Sequence, residues 1–62
     1  MNLYNVTAQV YELHDTSKQH LLINQVIDAS SEEDAIFQFK DQHRIKFQVV
    51  RIHSVEQFQY GH

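Results

Sequence analysis

The sequence predicts a small α+β domain of order β-β-α-β: a three-stranded antiparallel sheet in the spatial order 2-1-3, with one helix packed on one face. Three observations in its 62 residues predict this. Apolar and polar residues alternate over the first dozen positions, serines followed by acids open a helix near mid-chain, and β-branched segments stand on both sides of that helix.

From Leu3 to Leu13, Tyr4, Val6, Ala8 and Val10 fall on one side and Asn5, Thr7, Gln9 and Tyr11 on the other, the period of a half-buried strand. His14-Asp15-Thr16-Ser17-Lys18 is polar and rich in turn formers, so a hairpin loop of about four or five residues is expected there. Gln19 to Ala29 forms the second strand, with Leu21, Ile23, Ile27 and Ala29 on one side and Leu22, Asn24, Val26 and Asp28 on the other. Gln25 falls on the apolar side and is expected near an edge or in a hydrogen bond. Ser30-Ser31-Glu32-Glu33-Asp34-Ala35 is the clearest local signal: Ser30 with Glu33, or Ser31 with Asp34, fits a capping box. Three successive acids also suit the positive end of a helix dipole, as Lys40, His43 and Arg44 suit the negative end. Ala35, Ile36, Phe39 and His43 share one arc of that helix, and Phe37 points the opposite way. Lys46 to Val55 is again strand-like, but Val49, Val50, Ile52 and Val55 keep no strict alternation, leaving its buried face and any bulge undecided. Phe58-Gln59-Tyr60 either extends this strand or packs under the helix. A helical crossover makes the second and third strands parallel, so a third strand beside the first leaves every adjacent pair antiparallel. The sheet face opposite the helix, with Thr7, Gln9 and Tyr11, is then open to water.

Composition narrows the function. There is no cysteine and no proline, and the single glycine is Gly61. Disulfide, thiol and cysteine-zinc chemistry are excluded, and so are the glycine-rich loops that cradle phosphates. The chain reads as one domain over residues 1–62, small enough that its core leaves either marginal stability or oligomerisation. No apolar run exceeds three residues, as in Leu21-Leu22-Ile23, and no basic stretch at the N-terminus leads into an apolar core; a soluble cytoplasmic protein with no membrane partner is expected. The formal charge of −3 is uneven. Residues 1–37 carry Glu12, Asp15, Asp28, Glu32, Glu33 and Asp34 against Lys18, whereas residues 38–62 carry Lys40, Arg44, Lys46 and Arg51 against Asp41 and Glu56.

Five histidines (His14, His20, His43, His53 and His62) lack the spacing that sets two rings on one helix face, so no metal or other cofactor is implied. His53 and Ser54, as neighbours on a strand, point to opposite faces, which removes the obvious nucleophile and base pair, and one helix on one sheet offers little concavity. The chain is not expected to be an enzyme. Direct nucleic-acid binding has Lys40, Arg44, Lys46 and Arg51 interleaved with Phe37, Phe47, Phe58 and Tyr60 in its favour, and the net negative charge against it. Protein binding is the better reading. Its candidate residues are the acids Asp28, Glu32, Glu33 and Asp34, the aromatics Tyr11 and Phe37, and the helix cations Lys40 and Arg44. The acids read equally as a solvated helix start, and each aromatic as a packing residue.

Ile27-Asp28-Ala29-Ser30-Ser31-Glu32-Glu33-Asp34-Ala35, followed by Phe47-Gln48-Val49-Val50-Arg51-Ile52-His53-Ser54-Val55, resembles the strand, capped helix and final strand of small phage-encoded inhibitors. These are a type I-F anti-CRISPR family and the podoviral inhibitors of bacterial RNA polymerase. The likeness covers residues 27–55, and the archaeal ribosomal LX type is similar over the same stretch but is expected to be basic. The resemblance implies a protein without a catalytic centre that docks on a host complex, a Cas surveillance complex or RNA polymerase, and blocks DNA binding or a conformational step. A self-assembling or nucleic-acid-associated regulatory domain is the alternative, and either a monomer or a homodimer fits.

Overall fold

The computed structural model describes residues 2–58. Strand β1 (Asn2–Glu12), strand β2 (Leu21–Ala29), helix α1 (Glu32–His43) and strand β3 (Phe47–Phe58) follow in the expected order. The sheet runs β2-β1-β3 with both pairings antiparallel, so the expected α+β architecture is the observed one. No helix among the described residues is long and apolar enough to cross a membrane.

The alternation of β1 becomes its burial pattern. Tyr4, Val6, Ala8 and Val10 are buried, and Ile27, Ala29, Ala35 and Phe39 complete the core from β2 and α1. Half of the core comes from β1 because a central strand is flanked on both edges while its inward face lies under the helix. Phe39 is the largest fully buried side chain, and burying a side chain of this class contributes roughly 1.5–3 kcal/mol. Ala29 and Ala35, both without exposed surface, flank the strand-to-helix corner, where small side chains let the helix approach the sheet closely.

Gln25 satisfies its place on the apolar side by hydrogen bonding. Its Nε2 donates to Gln42 Oε1 at 2.7 Å, and its Oε1 lies 2.7 Å from His43 Nε2. Because Oε1 only accepts, the His43 proton sits on Nε2. The His43 ring also packs against Phe39 at 4.6 Å and Phe47 at 5.9 Å, closing the carboxyl end of α1 over the start of β3.

Two features differ from the sequence reading. The β1–β2 connection spans residues 13–20, longer than the expected four or five. It is organised by Asp15, whose carboxylate accepts from the Ser17 amide at 3.0 Å and hydroxyl at 2.8 Å, and by Lys18 at φ 52°. The second difference lies in β3. Gln9 pairs with Arg51 and Val10 with Val49, leaving Val50 without a partner, while Thr7 pairs with Ser54 and Ala8 with Ile52, leaving His53 without one. These two bulges let Phe47, Val49, Ile52 and Val55 all pack toward the core although their spacing is two, three and three. They also correct the expectation that His53 and Ser54 lie on opposite faces: His53 Nε2 reaches Gln9 Oε1 on the open face, at 3.3 Å.

Candidate protein-interaction surfaces

Helix α1 carries most of the candidate residues, and its start is built from local chemistry. Ser31 is extended (φ −159°, ψ 169°) and its Oγ accepts from the Asp34 amide at 3.1 Å, so Ser31 and not Ser30 is the N-cap. The Asp34 carboxylate accepts from the Ser30 amide at 3.1 Å, the Ser30 hydroxyl at 3.3 Å and Gln38 Nε2 at 3.0 Å. The Ser30 amide, then the Gln38 side chain, hold this carboxyl below its usual 3.8, outweighing the opposing effect of burial. Asp34 thus holds the strand-to-helix corner through Oδ2.

The other helix candidates are exposed, Phe37 at 69%. Glu33, Phe37, Lys40 and Arg44 are spaced four, three and four residues apart, which at 100° per residue lines them along one outer stripe. Glu32 flanks its acidic end. The stripe runs from acid to base, following the helix dipole. Arg44 Nε donates to Asp41 Oδ1 at 3.2 Å, an exposed i,i+3 pair of the kind that contributes only about 0.2–1 kcal/mol, so the guanidinium remains available to other acceptors. Between Lys40 and Arg44 on the helix and Phe47, Gln48 and Val49 on β3 lies a shallow groove of ≈ 190 Å³. Lys46 Nζ stands 5.6 Å from the Phe47 ring centroid at its border.

Tyr11 and Asp28 lie elsewhere, on the open face of the sheet. That face has a polar spine along β1. Asn24 Nδ2 donates to Thr7 Oγ1 at 2.7 Å, and Gln9 Nε2 donates to His20 Nδ1 at 2.6 Å while Gln9 Oε1 accepts from His53 Nε2. Gln9 thereby assigns the tautomers: His20 accepts at Nδ1 and His53 donates at Nε2. Tyr11 stacks on His20 with centroids 6.1 Å apart, and Lys18 Nζ lies 5.9 Å from the Tyr11 ring. Apolar side chains flank the spine, Leu22 at 66% and Val26 at 51% exposure on β2, with exposed Phe58 at the end of β3.

The structure therefore divides the sequence candidates between two surfaces. Glu32, Glu33, Phe37, Lys40 and Arg44 form a helix ridge, Tyr11 and Asp28 belong to the opposite face, and Asp34 braces the strand-to-helix corner. Sequence reasoning did not single out His20, His53 and Gln9 as one cluster. The alternation of β1 placed Gln9 on the open face, but His20 arrives through the loop and His53 through a bulge, and neither signal is periodic. Among the described residues, no three histidine or acidic side chains converge to hold a metal, and no hydrogen bond joins Ser54 to a histidine. Tyr60 and His62 lie outside the described residues. Comparison with protein-family models, curated proteins and solved structures returns no match to this chain.

Proposed function

We propose that this chain is a non-enzymatic, protein-binding inhibitor that docks on a host nucleic-acid complex through the outer face of α1 and blocks DNA binding. The observation that supports it is the helix ridge. An apolar aromatic, Phe37, stands 69% exposed between acidic Glu33 and basic Lys40 and Arg44, the pattern of an aromatic anchor ringed by charge that a partner pocket desolvates. The likeness of residues 27–55 to small phage inhibitors supports the same reading and points to a Cas surveillance complex or RNA polymerase in the host cytoplasm. A second reading, direct contact with nucleic acid, is favoured by the groove of Lys40, Arg44 and Phe47, where cations border an aromatic ring.

The test is capture by the tagged full-length chain from bacterial lysate containing CRISPR complexes, with and without nuclease, alongside the Phe37→Ala and Glu33→Lys variants. The expected result is a multi-subunit complex retained after nuclease treatment and weakened at least tenfold by either substitution, with circular dichroism unchanged. Recovery only of nuclease-sensitive material refutes the inhibitor reading in favour of nucleic-acid contact. Unaltered capture by both variants removes the ridge from the interface.

A further inference from the structure

We infer that the open face of the sheet is a self-complementary surface that packs on a second copy of this chain about a two-fold axis crossing the strands at Thr7. The inference is independent of the ridge reading, since α1 lies on the other side of the sheet.

The registers supply the argument. Along β1, the open-face positions Leu3, Asn5, Thr7, Gln9 and Tyr11 are opposed on β2 by Asp28, Val26, Asn24, Leu22 and, through ring stacking, His20. On β3 they are opposed by Phe58, Glu56, Ser54, Arg51 and Gln48. The face is thus acidic toward the start of β1, with Asp28 and Glu56, and basic toward its end, with Arg51, His20 and His53. A two-fold axis lying between the sheets and perpendicular to the strands reverses strand direction while keeping β2 over β2 and β3 over β3. Taken through Thr7, it sets Val26 over Leu22, Glu56 over Arg51, Asp28 over His20 and Leu3 over Tyr11, each pair occurring twice. Apolar meets apolar or acid meets base in these four pairs, while Phe58 lies over Gln48 and Asn5 over Gln9, a pattern that suits an isologous interface.

The other in-plane axis, parallel to the strands, exchanges β2 with β3. It sets Val26 over Glu56 and Leu22 over Arg51, burying a carboxylate and a guanidinium against aliphatic side chains, which is costly. The residue pattern therefore selects one axis.

The area approaches that of a standard interface. Eleven residues of β1 at ~3.4 Å each and three strands ~4.8 Å apart outline about 500 Å² in plan. Side-chain relief brings this toward the ~800 Å² per partner of a standard interface. Leu22 and Val26 stand 66% and 51% exposed in the monomer, and aligned packing of two sheets at about −30° keeps their central rows in contact. The dimer presents two α1 ridges on its outer sides, so one particle engages two sites.

The test is sedimentation equilibrium of the full chain from 1 µM to 1 mM in about 0.15 M salt, where the Debye length is about 8 Å. The chain is expected at twice its 7.4 kDa mass in the upper part of that range. Val26→Lys, Arg51→Glu and Glu56→Arg are each expected to weaken association at least tenfold, and Phe37→Lys to leave it unchanged. The double reversal Arg51→Glu with Glu56→Arg is expected to restore it to within about threefold, because the selected axis places these two positions opposite one another. Monomer mass throughout overturns the inference. So does a dimer broken by Phe37→Lys but not by Val26→Lys, which would place the contact on the helix, and so does failure of the double reversal to restore association.

Discussion

Replacing Ser31 by alanine isolates the contact that starts α1. Ser31 Oγ accepts from the Asp34 amide at 3.1 Å, and loss of an N-cap oxygen costs about 1 kcal/mol, within a range of about 0.5–2. Ser30→Ala is the matched comparison. The Ser30 contact to Asp34 that matters is its backbone amide, at 3.1 Å, which alanine retains; only the 3.3 Å hydroxyl contact is lost, so a few tenths of a kcal/mol are expected. For 62 residues at ~2.1 cal/mol/K each, the unfolding entropy is about 0.13 kcal/mol/K. One kcal/mol then lowers the thermal midpoint by about 8 °C, and 0.3 kcal/mol by about 2 °C. Far-ultraviolet circular dichroism melts at pH 7 resolve that difference, run at one protein concentration because self-association couples the midpoint to concentration. Equal drops, or a larger drop for Ser30→Ala, would refute the assignment of Ser31 as the cap.

Phe39→Ala is expected to cost about 3–5 kcal/mol against a total near 3–9 kcal/mol for a chain of 62 residues. Its urea transition should be lost or moved to no more than about two-thirds of the wild-type midpoint, while Phe37→Ala, at an exposed position, should shift stability by less than about 0.5 kcal/mol. Asp34 makes acid stability predictable in sign: its folded carboxyl titrates below 3.8, so the unfolded chain takes up that proton first. The contribution is complete above 3.8 and disappears as pH falls through the lowered folded value; Asp34→Asn should flatten the stability curve below 3.8, and identical curves would contradict this. Lys18 holds φ 52°, a region that costs a residue with a Cβ roughly 1 kcal/mol. Lys18→Gly should therefore stabilise the chain by up to about 1 kcal/mol in the same urea measurement, and destabilisation would show that the cation–π contact of Lys18 with Tyr11 outweighs the backbone term.

Much of this fold was legible in the residue pattern, for reasons that differ by element. The alternation of Tyr4, Val6, Ala8 and Val10 needs no tertiary information, because side chains of a strand alternate faces whatever lies above them, and all four are buried. The serine and acid run marks a helix start because capping acts within one turn, and α1 begins at Glu32. Gln25, the one long polar side chain on the inward side of β2, signalled a hydrogen bond and makes two. The candidate residues are legible as exposed chemistry: Phe37 and Arg44 share a helix face by spacing alone, and strand alternation puts Tyr11 on the open face of the sheet, but which of them form one surface is not legible.

Local rules settled the elements and their inward faces, since periodicity, capping and turn chemistry operate over a few residues. The rest required the third dimension. The inward face of β3 depends on bulges at Val50 and His53, which exist only as a mismatch between β3 and β1 and leave no periodic trace in either strand. For the same reason the cluster of His20, Gln9 and His53, and the arrangement of acids and bases on the open face that permits a two-fold, come from registers joining residues as far apart in the chain as Leu3 and Phe58. Register is a property of two strands together, set by the packing of one shared core, and no single segment encodes it.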